Sequence, residues 1–185
     1  MNLANRLTVL RIPLVPVFVA FLLYFTPERD YCRVWAISVY ALACLTDALD
    51  GFLARQMGQK TELGSYMDPM ADKLLLISGY LSLSLMHNLP EAMHIPGWLT
   101  LLVLSRDIVI LTGALIIFIA TGELKAQPLF VGKLTTVAQM AALFVSLLAL
   151  DWNVRVCFYL FAAALIIISG SLYIRVGGRM MQEAS

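Results

Sequence analysis

The sequence predicts an all-α integral membrane protein of six transmembrane helices, preceded by a short N-terminal amphipathic juxtamembrane segment. Two observations predict it. Of 185 residues, 61% are hydrophobic and 14% charged, with a mean hydropathy of +0.84, which lies outside the range of a soluble domain. The apolar residues also gather into six stretches near the roughly 20 residues that cross a bilayer as helix: 7–25, 34–54, 67–86, 98–120, 132–150 and 154–176.

The first stretch follows a segment, 3–14, with Leu3, Leu7, Leu10 and Leu14 at helical spacing, which suits the inner membrane surface. Arg6 and Arg11 ahead of an apolar run imitate a secretory leader, but no small-x-small cleavage pattern follows before Pro27. The later stretches are separated by short polar turns, such as those at 26–30, 87–90 and 121–125, so residues 1–185 are expected to form a single membrane domain. No repeat or low-complexity segment interrupts it. Cys32, Cys44 and Cys157 are scattered without metal-ligand spacing and read as apolar packing.

The net charge of +1 is uninformative, but its distribution is not. With a cytoplasmic N-terminus, six spans place Arg6, Arg11, Arg55, Lys60, Lys73, Lys125, Lys133, Arg175 and Arg179 at the inner face, against Arg29, Arg33 and Arg155 outside. That asymmetry follows the positive-inside rule and puts both termini in the cytoplasm. His87 and His94 then fall in an outer loop as solvated residues.

Five acids sit within or at the ends of the apolar runs: Asp47, Asp50, Asp68, Asp72 and Asp107. An Asp at the centre of a spanning helix costs about 2.5–3.5 kcal/mol on insertion scales, so such residues mark functional sites. Asp47 and Asp50 are three apart, Asp68 and Asp72 four apart, so each pair shares one helix face. Two facing helices bring four carboxylates together, and their repulsion calls for protons or cations. Oxygen-only ligands select hard ions, which points to one or two Mg²⁺ or Mn²⁺. Gly51, Ala54 and Gly64 are small enough for helices or phosphates to approach the backbone, and equally fit simple helix packing. Arg55 is placed either to grip a phosphate or to snorkel at the membrane surface.

Taken together, Asp47, Asp50, Gly51, Ala54 and Arg55, then eight residues, Gly64, three residues, Asp68, three residues and Asp72, resemble the signature of the CDP-alcohol phosphotransferase family, with all eight positions filled. The segment 2–13 and the phrase Asp68-Pro-Met-Ala-Asp72-Lys73 extend the resemblance over most of the chain. The resemblance implies a six-helix fold, a homodimer, and a metal site open to the cytoplasm in a bacterial inner membrane. It implies Asp47, Asp50, Asp68 and Asp72 as ligands of two ions, Asp72 also as the base, and Gly51, Ala54, Arg55 and Gly64 as lining of the CDP site. The implied reaction is attack of an alcohol on the phosphatidyl phosphorus of CDP-diacylglycerol, with CMP leaving and no covalent enzyme intermediate. The acidic cluster is expected to raise the proton affinity of Asp72.

A phosphate-bearing acceptor needs cations, and Arg106, Lys133 and Arg175 are the candidates. Arg106 also suits an internal ion pair, and Lys133 and Arg175 the positive-inside rule. Asn5 to Thr8, Arg11, Pro13, Gly132, Lys133, Thr136 and Gln139 resemble the phosphatidylglycerophosphate synthase branch, which implies glycerol 3-phosphate as acceptor. Ser105-Arg106-Asp107 and Thr135 lean toward the CMP-forming cardiolipin synthase branch, whose acceptor is phosphatidylglycerol. An ion-coupled transporter also buries acids, but gives no reason for the Gly-Ala-Arg spacing. No basic stripe with interleaved aromatics supports nucleic-acid binding.

Overall fold

In a computed structural model the chain is all-helical. The structure describes residues 3–57, 62–121 and 130–183, with the side chains of 11–47, 72–116, 119, 130–176 and 178. Six long helices occupy these residues: α1 Leu3–Leu23, α2 Tyr31–Met57, α3 Glu62–Leu85, α4 Gly97–Thr121, α5 Phe130–Leu147 and α6 Trp152–Glu183. Each coincides with one apolar stretch of the sequence, and short 3-10 turns at Pro27–Arg29 and Glu91–Met93 fill the polar breaks after α1 and α3. Lys60 and Lys125 lie outside the described residues, as do the side chains of Arg6, Arg55 and Arg179.

The chain forms two compact units. In the first, residues 1–94 with 146–149, α1 packs on α2 and α3. Ala36 and Ala43 on α2 are buried and small, Phe18 of α1 lies 5.8 Å from Tyr40 between ring centroids, and Phe21 stacks on Trp35 at 6.1 Å. Helix α1 runs unbroken from Leu3 through Pro13 and Pro16, so the segment 3–14 is continuous with the first long helix and forms no separate element. The last carbonyls of α1 have no partner within the helix. Asn88, from the turn after α3, supplies one: its Nδ2 lies 2.9, 3.2 and 3.1 Å from the carbonyls of Leu22, Leu23 and Phe25. In the same loop His87 is exposed, while His94 is half-buried with Nε2 3.2 Å from the Leu89 carbonyl.

In the second unit, residues 95–145 with 150–185, α4 packs on α6, and Leu99 and Val103 of α4 and Tyr159, Ala162 and Ile166 of α6 are buried. Thr135 of α5 donates its hydroxyl to the Val131 carbonyl at 2.8 Å and lies 3.2 Å from that of Leu165, which ties α5 to α6. Two residues past the end of α5, in the stretch 146–149 that belongs to the first unit, Ala149 has φ 51°, a left-handed position normally given to glycine.

Polarity runs inside out. Arg11, Arg106, Asp107, Thr135, Gln139, Arg155 and Ser169 are buried, while Leu101, Ile108, Leu111, Leu115 and Ile119 form one exposed stripe along α4. Such a surface suits hydrocarbon rather than water. Among the described residues, Glu91–Ile116, Phe130–Leu147 and Trp152–Val176 are long and apolar enough to cross a bilayer, and Arg11–Leu23 is a shorter apolar helix. The chain is an integral membrane protein.

Candidate active site

The first unit builds its polar centre on α1, α2 and α3. Asp47 sits in the second half of α2 and Asp72 near the middle of α3. Both are turned toward α1, where Arg11 is fully buried. One nitrogen of Arg11, Nη1, lies 3.1 Å from Asp47 Oδ1 and 2.7 Å from Asp72 Oδ1. The spacing-based expectation that α2 and α3 bring their acids together therefore holds for the described pair. The backbone of α2 is helical through Asp50 and that of α3 through Asp68, so each stands one turn from its described partner along its own helix. The side chains of Asp50, Ala54, Arg55 and Asp68, and the surroundings of Gly51 and Gly64, lie outside the described residues.

The two carboxylates differ from the arginine in access: the Asp47 and Asp72 side chains are 36% and 24% exposed, and Arg11 is 0% exposed. The guanidinium approaches from the protein side and leaves the acids an open side. Among the described residues no three His, Cys, Asp or Glu side chains stand together as a metal-ligand set. What is described is two oxygen donors on separate helices held to a common point, a donor set that fits a hard divalent ion better than zinc.

In the sequence Arg11 was legible as an inner-face cation and as part of a branch resemblance, not as a partner of the acids. The signal that marks it is its place four residues inside the stretch 7–25, where an arginine is as costly as an aspartate and needs a partner.

The second unit holds a different cluster. Arg106 of α4 is buried and donates from Nη1 to Asp107 Oδ1 at 2.9 Å; Nη2 lies 3.5 Å from the Gly132 carbonyl and 3.4 Å from Ser169 Oγ. Of the two roles open to Arg106, the internal ion pair is therefore formed, and Asp107 serves it. A methyl group on Gly132 would come within 3.0 Å of the Tyr173 hydroxyl and 3.4 Å of Arg106 Nη2, so the absence of a side chain there lets α4 and α6 close on α5. Lys133 follows Gly132, and Arg175 lies two residues after Tyr173; both are exposed. All three candidate acceptor cations thus belong to the same end of this unit.

Comparison with known proteins adds the family. The family model described as CDP-alcohol phosphatidyltransferase matches residues 1–170. A "Probable phosphatidylglycerophosphate synthase" of Mycobacterium tuberculosis (strain CDC 1551 / Oshkosh) is 38% identical over 168 residues, 91% of this chain and 76% of that protein. A "CDP-diacylglycerol--glycerol-3-phosphate 3-phosphatidyltransferase" of Pseudomonas fluorescens is 40% identical over 114 residues, 60% of this chain and 53% of that protein. A "Cardiolipin synthase (CMP-forming)" of Rattus norvegicus is 35% identical over 175 residues, 86% of this chain and 54% of that protein.

Proposed function

We propose that this chain, which belongs to the CDP-alcohol phosphatidyltransferase family, transfers the phosphatidyl group of CDP-diacylglycerol to glycerol 3-phosphate, yielding phosphatidylglycerophosphate and CMP. The observation that carries the site is the convergence of Asp47 and Asp72, from α2 and α3, on one point with an open side. Asp47, Asp50, Asp68 and Asp72 are the proposed ligands of two Mg²⁺ or Mn²⁺ ions. When bound, such ions neutralise charge on the diphosphate and on the leaving CMP. Gly51, Ala54, Arg55 and Gly64 line the proposed CDP site, where small residues admit the phosphates and Arg55 pairs with one of them.

The acceptor hydroxyl oxygen bonds to the phosphorus that carries diacylglycerol, while the bond from that phosphorus to the bridging oxygen breaks and CMP departs. Asp72 takes the hydroxyl proton. Its carboxylate is 24% exposed and its Oδ1 lies 2.7 Å from Arg11 Nη1, so it is oriented and reachable. Lys133 and Arg175, exposed at one end of the second unit, bind the acceptor phosphate, and Arg106 supports that end from beneath.

In the bilayer all six helices span, with the stretch around 3–14 at the inner surface, residues 1–185 forming one catalytic domain, and two copies forming a homodimer. Exposed aromatics support this arrangement: Tyr24 and Tyr31 flank the turn between α1 and α2, and Trp98 and Trp152 stand at the starts of α4 and α6, as at a membrane interface. The surplus of Lys and Arg at the opposite helix ends supports a cytoplasmic face for the acids, and the proposed membrane is a bacterial inner membrane.

A second reading, CMP-forming cardiolipin synthesis with phosphatidylglycerol as acceptor, is favoured by Ser105-Arg106-Asp107 and Thr135. CMP release by the purified chain in detergent, with CDP-diacylglycerol and Mg²⁺, separates the two. Turnover is expected with glycerol 3-phosphate; turnover with phosphatidylglycerol alone transfers the chain to the second reading, and turnover with neither removes both.

A further inference from the structure

We propose that Arg11 is a built-in counter-cation that holds Asp47 and Asp72 together and contends with a divalent ion for their oxygens, thereby setting the metal concentration at which the site loads. The inference rests on the reading of Asp47 and Asp72 as metal ligands. A single nitrogen, Nη1, bridges carboxylates from two other helices at 3.1 and 2.7 Å, so one guanidinium ties α1, α2 and α3 at this point. A guanidinium does not lose its proton in proteins, so its charge is constant. A divalent ion that binds the Asp47 and Asp72 oxygens therefore shares them with a charge of its own sign.

Full burial denies Arg11 a retreat into water. The ion must therefore bind beside a fixed like charge at short range, in surroundings where that repulsion is poorly screened. Arg11 is thus a positioning residue: it orders the pair, and its charge weakens metal binding.

The test is a Mn²⁺ titration of the intact chain in detergent, followed by the resonance signal of free Mn²⁺, with melting temperatures in chelator and in saturating Mn²⁺. Arg11→Gln keeps a hydrogen-bond donor and removes the charge. It is expected to lower half-saturating Mn²⁺ at least about fivefold, to lower the melting temperature in chelator, and to enlarge the rise that Mn²⁺ produces. Arg11→Lys keeps the charge and is expected to stay within about twofold of the unmodified chain; tighter binding in Arg11→Lys overturns the inference even where Arg11→Gln does not fold. Unchanged or lost Mn²⁺ binding in a folded Arg11→Gln chain overturns it while leaving Asp47 and Asp72 as ligands. No Mn²⁺ binding by the unmodified chain overturns that reading and this inference together.

Discussion

Arg11 and Arg106 are both buried and both pair with aspartate, but they are built for opposite ends. Arg11 reaches across three helices to Asp47 and Asp72, whose carboxylates keep an open side. Arg106 pairs with its chain neighbour Asp107, both are at least nine-tenths buried, and its remaining reach goes to a carbonyl and a hydroxyl of α5 and α6. A buried ion pair closed off from its surroundings can only hold structure, whereas acids gathered from separate helices and left accessible can meet a cation or a substrate. The cost of putting charge into an apolar protein is similar in both places. Access distinguishes chemistry from scaffolding.

This contrast is open to direct attack. The largest expected effect is on the first cluster: removing divalent ions with a chelator abolishes CMP release, and Mg²⁺ or Mn²⁺ restores it, whereas retention of activity in chelator breaks the assignment of Asp47 and Asp72. In the second cluster Asp107→Asn leaves Arg106 buried without its charged partner and is expected to destabilise the protein by about 3–5 kcal/mol, measured as reduced resistance to denaturant in detergent. Gly132→Ala pushes on Tyr173 and Arg106; a cost of about 1–3 kcal/mol is expected from overpacking, read by the same method. The smallest effect belongs to neither cluster: Ala149→Gly relieves a left-handed backbone just past the end of α5 and should stabilise by about 1 kcal/mol.

The helices were legible because hydropathy alone decides where a chain can cross lipid, and the stretch 98–120 reappears as Gly97–Thr121 almost unchanged. Helix ends were less so. Helix α6 continues through Arg175 to Glu183, beyond the apolar stretch 154–176, since helical hydrogen bonding does not stop where apolarity does. The segment at 3–14 has no boundary of its own in the backbone: α1 packs on α2 and α3 and is continuous through it.

Within the site, spacing predicts a shared helix face for Asp47 with Asp50 and for Asp72 with Asp68, because helix periodicity is local. It gave no means to see that Arg11 lies between Asp47 and Asp72, since that depends on which face of α1 meets α2 and α3. An internal ion pair was one of two roles the sequence left open for Arg106, and periodicity could not choose between them. Consecutive residues on a helix do not face each other, and only bending of the long side chain brings Arg106 to Asp107.

The most direct test of the account compares Asp72→Asn with Asp107→Asn in one assay of CMP release from CDP-diacylglycerol and glycerol 3-phosphate, both chains being checked for folding. The account predicts that Asp72→Asn loses about 10²–10⁴-fold in turnover while remaining folded, and that Asp107→Asn loses stability but keeps most of its turnover per folded molecule. A folded Asp72→Asn chain that turns over at the unmodified rate would contradict it.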